Sequence, residues 1–177
     1  MTPIFSTIGH SNHSLDEFME MLRCADITMV IDVRTFPRSR TNPIFNSNTL
    51  PNDLAKIQIE YQHWPALGGR RSKQKQVDPD LNAMWRVAGF HNYADYALSD
   101  EFGMAFDELI ALGQQYRLAI MCSEAVWWRC HRRIITDYLL LNGHAVQHVM
   151  AANRIDVAIP NAGAQKLANG KVVYPAM

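Results

Sequence analysis

The feature that most constrains this chain is an alternation of short apolar runs with polar turns and amphipathic helical segments. Ile4 to Ile8 is β-prone and ends at Gly9-His10-Ser11. Ser14-Leu15-Asp16-Glu17 follows with the spacing of a capping box, Ser14 at the N-cap and Glu17 at the third helical position. Leu15, Phe18, Met19 and Leu22 then fall on one helical face. Ile27 to Val33 reads as a buried strand, so the unit predicts a parallel pair of strands joined by a right-handed crossover. After a loop rich in Pro, Asn, Ser and Thr over 35–48, the pattern predicts a helix over 49–57 and a strand over Ile59–His63. Short helices are expected over 81–98. Ser99 caps a clearer helix whose apolar face is Phe102, Ala105, Phe106, Leu109 and Ile110. Tyr116 to Met121 is the next strand, a helix runs from Arg129 to Asn142 with Gly143 as its stop, and Ala145 to Met150 is a further strand. The predicted fold class is α/β, a single three-layer domain over residues 1–177 with a mostly parallel sheet flanked by helices. Its core blocks span 4–150, and a C-terminal extension spans 151–177 with a short strand at Lys171–Tyr174.

Composition narrows the class. A chain of 177 residues, 48% hydrophobic and 19% charged, suits one globular domain and lies far from the disorder signature. No apolar run reaches the roughly 18 residues of a membrane span. The opening MTPIFSTIGH lacks the basic start and apolar core of a signal peptide. The cysteines are Cys24, Cys122 and Cys130, an odd count that argues against a secreted disulfide framework. These observations predict a cytoplasmic protein with no membrane partner. Net charge is zero, yet between Arg34 and Lys75 eight basic residues face only Asp53 and Glu60. That stretch therefore carries +6 and the remainder −6, which favours an anionic partner, a small molecule or a nucleic acid.

In open parallel sheets ligands bind beyond the carboxyl ends of the strands, and three polar segments occupy such ends here. They are Gly9 to His13, Arg34 to Arg40, and Cys122 to Arg133. In the last, a strand passes to a helix whose free amides and dipole favour an anion, with Arg129, Arg132 and Arg133 nearby. Arg34 and Arg132 are the candidate anion-holding guanidinium groups. His10, directly after Gly9, is a candidate proton shuttle near neutral pH, and Glu124 a candidate acid–base. Asp32, inside its strand, is expected to pair structurally with Arg34 or a loop amide.

Cys122 before a helix and ahead of Arg129 has the layout of a cysteine-phosphatase or rhodanese loop. Six residues separate the two, one more than such loops use, and the insert carries Trp127-Trp128 with no glycine. Cys122 is thus read either as a small buried residue or as a nucleophile. A metal set drawn from Cys122, Cys130 and His131 with His10 or His13 has the right donor types, but no paired C-x-x-C knuckle supports it. Phe36, Phe45, Tyr61, Trp64 and Trp85 flank the basic stretch, as stacking platforms for a single strand or as core and loop anchors.

Several blocks together resemble the DUF488 family of uncharacterised domains. They are Thr7-Ile8-Gly9-His10-Ser11, Asp32-Val33-Arg34 with Pro37 and Ser39, Tyr61 ahead of Leu67-Gly68-Gly69, and Cys122-Ser123-Glu124 with Cys130-His131-Arg132. The resemblance implies an α/β fold and a site built from these blocks, and brings no activity or cofactor with it. Within these blocks the residues themselves offer His10, Glu124 and Cys122 as catalytic candidates. Gly9, Ser11, Arg34, Ser39, Cys130, His131 and Arg132 are the ligand-binding candidates. The leading functional expectation is a strand-end site for an anionic, nucleotide-like or phosphorylated ligand. The alternatives are a nucleic-acid-binding module using residues 34–75, and a cysteine-dependent sulfurtransferase or redox enzyme.

Overall fold

The Ser14 hydroxyl accepts the Glu17 amide at 3.1 Å and opens α1 (Leu15–Cys24), as the spacing predicts. The structure, a computed structural model, describes residues 3–177. Around α1 the order is β1 (Ile4–Gly9), β2 (Met29–Asp32), α2 (Leu50–Ala55), β3 (Glu60–His63) and α3 (Ala88–Tyr96). Then come α4 (Asp100–Gly113), capped by Ser99, β4 (Leu118–Cys122), α5 (Arg132–Leu141), β5 (Ala145–Ala151) and β6 (Arg154–Val157).

Six strands form one sheet in the order β3-β2-β4-β1-β5-β6, parallel throughout except for β6. The α/β class is as expected, but β1 and β2 do not pair. β4 lies between them, and every residue of β4 is buried, as a central strand requires. Side chains alternate across the sheet. Phe5, Ile31, Leu118 and Ile120 pack with residues of α3, α4 and α5. Ile8, Val30, Ala119 and Met121 pack with Phe18 and Leu22 of α1 and Leu50 and Leu54 of α2. Each such large apolar side chain contributes on the order of 1.5–3 kcal/mol on burial.

The segment after residue 150 joins this core. β6 folds back on β5, and β7 (Gln165–Lys166) pairs with β8 (Val172–Val173). Tyr174 is buried, its hydroxyl donating to Asp137 Oδ2 at 2.6 Å and its amide to Asn82 Oδ1 at 2.9 Å. Among the described residues no helix is long and apolar enough to cross a membrane.

Candidate functional site

The carboxyl ends of β1, β2 and β4 lie side by side, with Gly9 opposite Cys122 and Asp32 opposite Met121. The ladder runs on past them: the His10 amide donates to Cys122 O at 2.9 Å, and the Ser11 amide to Ser123 O at 3.0 Å. The three polar segments therefore meet around a cavity of about 940 Å³. His10, Ser11, Arg34, Ser39, Cys122, Glu124, Cys130 and His131 line it, whereas Gly9 and Arg132 do not. Gly9 has a packing role, because a Cβ there would lie 1.7 Å from the Glu124 carbonyl oxygen. The loop after β4 can close onto β1 only because that position is glycine.

The helix expected from Arg129 starts at Arg132 instead, after a 3-10 turn over Trp127–Arg129. The Trp127 ring stacks on His148 at 4.6 Å and pins that turn. Cys130 follows in extended conformation (φ −139°, ψ 172°), one residue ahead of His131, the N-cap of α5, which makes no side-chain cap of its own. The Cys130 sulfur instead reaches the start of α5: Sγ accepts the Arg132 amide and the Arg132 Nε–H, each at 3.3 Å. Cys122 Sγ lies 3.0 Å from the same sulfur. Burial pushes the Cys122 thiol well above its ordinary range, and the Cys130 sulfur beside it pushes further. Burial acts on Cys130 in the same sense, but the Cys122 thiol, the His131 ring and the Arg132 guanidinium outweigh it. They hold Cys130 well below the usual thiol range. The two sulfurs are thus pushed in opposite directions, Cys122 towards the thiol and Cys130 towards the thiolate.

Arg132 is 1% exposed. Besides Cys130 it donates from Nη2 to Glu124 O at 2.7 Å and from Nη1 to Thr7 Oγ1 at 3.2 Å. The Thr7 hydroxyl is hydrogen-bonded in turn with His148 Nδ1 at 2.6 Å. Arg132 therefore holds the floor together and does not reach into the cavity, contrary to the expectation of an anion-gripping side chain. Arg34 is also largely committed. Its Nε donates to Asp32 Oδ1 at 2.9 Å, and Nη2 to Asp32 Oδ2 and to Phe45 O, both at 2.7 Å. The Tyr61 hydroxyl closes the remaining side of Asp32. The expected Asp32–Arg34 pair is present, buried and bidentate.

Two of the site histidines are fixed by their partners. The His131 Nε2–H donates to Val33 O at 2.8 Å, which leaves Nδ1 as the basic nitrogen. A Cβ on Gly69 would lie 2.4 Å from that Nδ1, so the glycine admits the ring. His10 Nδ1–H donates to Ser11 O at 2.9 Å, and its Nε2 accepts from Arg34 Nη1 at 3.2 Å. Burial pushes His10 down to about 4, and the Arg34 charge adds to that. Both ring nitrogens are thus engaged, and His10 faces Arg34 at the cavity wall. Ser39 is likewise a loop organiser, accepting the Thr41 and Asn42 amides at 3.2 and 3.1 Å.

A family model described as Domain of unknown function DUF488 matches residues 14–139, most of the chain. The chain belongs to the DUF488 family. No curated protein and no solved structure matches it. The matched span contains Arg34 and the whole Cys122–Arg132 segment, and begins after the Gly9-His10-Ser11 end of β1.

The rim of the DUF488 cavity brings in Arg70, which lies outside the three strand-end segments, beside Arg38 and Arg129, which lie within them. Arg38, Arg70 and Arg129 line it, and among the described residues their guanidinium groups have no carboxylate partner or hydrogen-bond acceptor. Arg70 lies over the Phe36 ring at 5.3 Å, and Phe36 is 64% exposed, beside the lining residues Val87 and Phe90. The other expected aromatic platforms are anchors: Phe45 and Trp85 are buried, Tyr61 bonds Asp32, and Trp64 bonds Gln62. Nor is the basic stretch uniformly free. Arg71 donates to Pro65 O and Gly68 O and stacks on Tyr96 at 3.7 Å, and Lys56 pairs with Asp53. The metal set does not assemble: among the described residues no three His, Cys, Asp or Glu side chains converge.

Proposed function

We propose that this DUF488 protein is a thiol-dependent enzyme in which the Cys130 thiolate attacks an anionic substrate held by the rim guanidinium groups. The observation that carries the reading is the setting of Arg132. A buried cation needs a compensating charge, since stripping an ion of water costs several kcal/mol. No carboxylate lies within ion-pair distance of Arg132 among the described residues, and Cys130 Sγ takes two of its N–H groups. The thiolate is the counter-ion that this arrangement calls for.

Each remaining part then has a task. The helix amide and guanidinium keep Cys130 ionised, and the His131 Nδ1 is the nearest base to take its proton. Arg38, Arg70 and Arg129 supply the charge for an anionic substrate, and Phe36, Val87 and Phe90 an apolar ledge beside it. Glu124, exposed on the cavity wall, remains the candidate acid–base group for a leaving atom.

Alkylation by iodoacetamide tests this directly, in a Cys24→Ser background that removes the exposed thiol. Peptide mass should locate the reaction at Cys130, with a rate midpoint well below the ordinary thiol value of about 8.5. Cys122→Ser should retain it and Cys130→Ser abolish it. A midpoint at or above the ordinary value, or modification at Cys122, removes the reading.

A further inference from the structure

Cys122 enters that reading only as a hydrogen-bonding neighbour of Cys130, yet it is also the thiol beside the nucleophile. Its sulfur lies 3.0 Å from Cys130 Sγ, and its other hydrogen-bond contact is a long 3.9 Å approach to Glu124 O. A disulfide needs the sulfurs at about 2.05 Å, so a shift of roughly 1 Å joins them. Cys122 ends β4, Cys130 lies two residues before α5, and both line the cavity.

We propose that Cys122 is the resolving thiol, and that the site performs thiol–disulfide exchange on small anionic disulfides. This rests on Cys130 being the nucleophile. In the first step the Cys130 thiolate attacks one sulfur of a disulfide RSSR, forming Cys130–S–SR and releasing RS⁻. In the second, Cys122 attacks Cys130 Sγ, the Cys130–SR bond breaks, and the Cys122 proton passes to the departing thiolate. The substrate disulfide gains two electrons, and the protein dithiol loses them to become a Cys122–Cys130 disulfide.

Arg132 sets the direction of reset. Once Cys130 is in a disulfide it carries no charge, and the buried guanidinium loses its counter-ion. The reduced pair is thereby favoured, as it is wherever a thiolate is stabilised by its surroundings, and a small thiol in excess returns the protein to the dithiol. The substrate's charge follows from the rim. Three guanidinium groups that have no acidic partner among the described residues line the same cavity as the thiols, and this favours carboxylate-bearing disulfides over cationic ones of the same size.

The test uses dithiodiglycolate and cystamine, disulfides of similar size and opposite charge, on the Cys24→Ser protein and its Cys122→Ser and Cys122→Ala variants. With dithiodiglycolate, the Cys24→Ser protein should release two thiols per chain, keep no adduct and lose two hydrogens in mass. Both Cys122 variants should release one thiol and retain the adduct on Cys130. An adduct retained with Cys122 intact overturns the resolving role while leaving Cys130 as the nucleophile. No reaction in any of the proteins removes the nucleophile itself. Rates are divided by those of free mercaptoethanol with the same reagents. On that scale dithiodiglycolate should exceed cystamine by about tenfold or more at low salt, the lead shrinking as salt is added. It should also shrink in the Arg38→Gln/Arg70→Gln/Arg129→Gln variant. Equal normalised rates overturn the substrate class.

Discussion

The arginines at the floor of the cavity and those at its rim do opposite work, although all lie near the same strand ends. Arg34 and Arg132 are 6% and 1% exposed, and each has its Nε, Nη1 and Nη2 hydrogen-bonded within the protein. Among the described residues no acceptor holds the guanidinium groups of Arg38, Arg70 and Arg129. Burial obliges a guanidinium to satisfy itself internally, so the buried pair shapes the site and the rim group is left for a ligand. The floor is itself asymmetric. Arg34 has a carboxylate, Asp32, whereas Arg132 has a sulfur, and in the proposed reading that difference makes one arginine structural and the other an activator.

The sharpest way to break this contrast is at Arg132. Arg132→Met should move the Cys130 alkylation midpoint up to or beyond about 8.5 and lower stability to urea by about 3 kcal/mol. An unchanged midpoint would show that the floor arginine does not hold the thiolate. Acid should act on the floor next. His10 and His148 are both pushed by burial from 6.5 to about 4, with Arg34 and Arg132 respectively adding to it. The unfolded chain therefore binds more protons between these values, and stability falls as pH drops from 6.5 towards 4. The loss is at most roughly 3 kcal/mol per ring. Urea unfolding of wild type and His148→Phe across that range should show a shallower slope in the variant; identical slopes would contradict it. Gly9→Ala tests the packing of floor against loop, and should cost about 2 kcal/mol as the Glu124 carbonyl is displaced. At the rim, Arg38→Gln, Arg70→Gln and Arg129→Gln should each leave stability within about 0.5 kcal/mol of wild type. A larger loss in thermal unfolding would mean that the rim is structural too.

Much of the frame was legible from local pattern. Ser14 and Ser99 cap their helices as expected, the apolar runs became strands, and the strand-end rule gathered His10, Arg34, Cys122 and Cys130 into one place. Strand order was not legible, because period and burial say nothing about which strand lies beside which; hence the insertion of β4 between β1 and β2. The roles of the two cysteines depend on where α5 starts, and a stack between Trp127 and His148 helps set that start. The Thr7–His148 hydrogen bond spans 141 residues and leaves no local trace. His131 was in the candidate set, but the nitrogen that stays basic is decided by Val33 O on another element.

The order of the strands also bears on how the chain comes to be made. β1 is synthesised early, yet its only neighbours in the sheet are β4 and β5. At about 5–20 residues per second, β1 waits roughly 5–20 s for β4 to emerge from the ribosome. Through that interval a strand destined for the middle of the sheet has both edges open and its apolar residues in water. The nascent chain is thus most exposed to aggregation in the very segment that ends in Gly9 and His10, and its rate of folding is tied to contacts that span more than half its length.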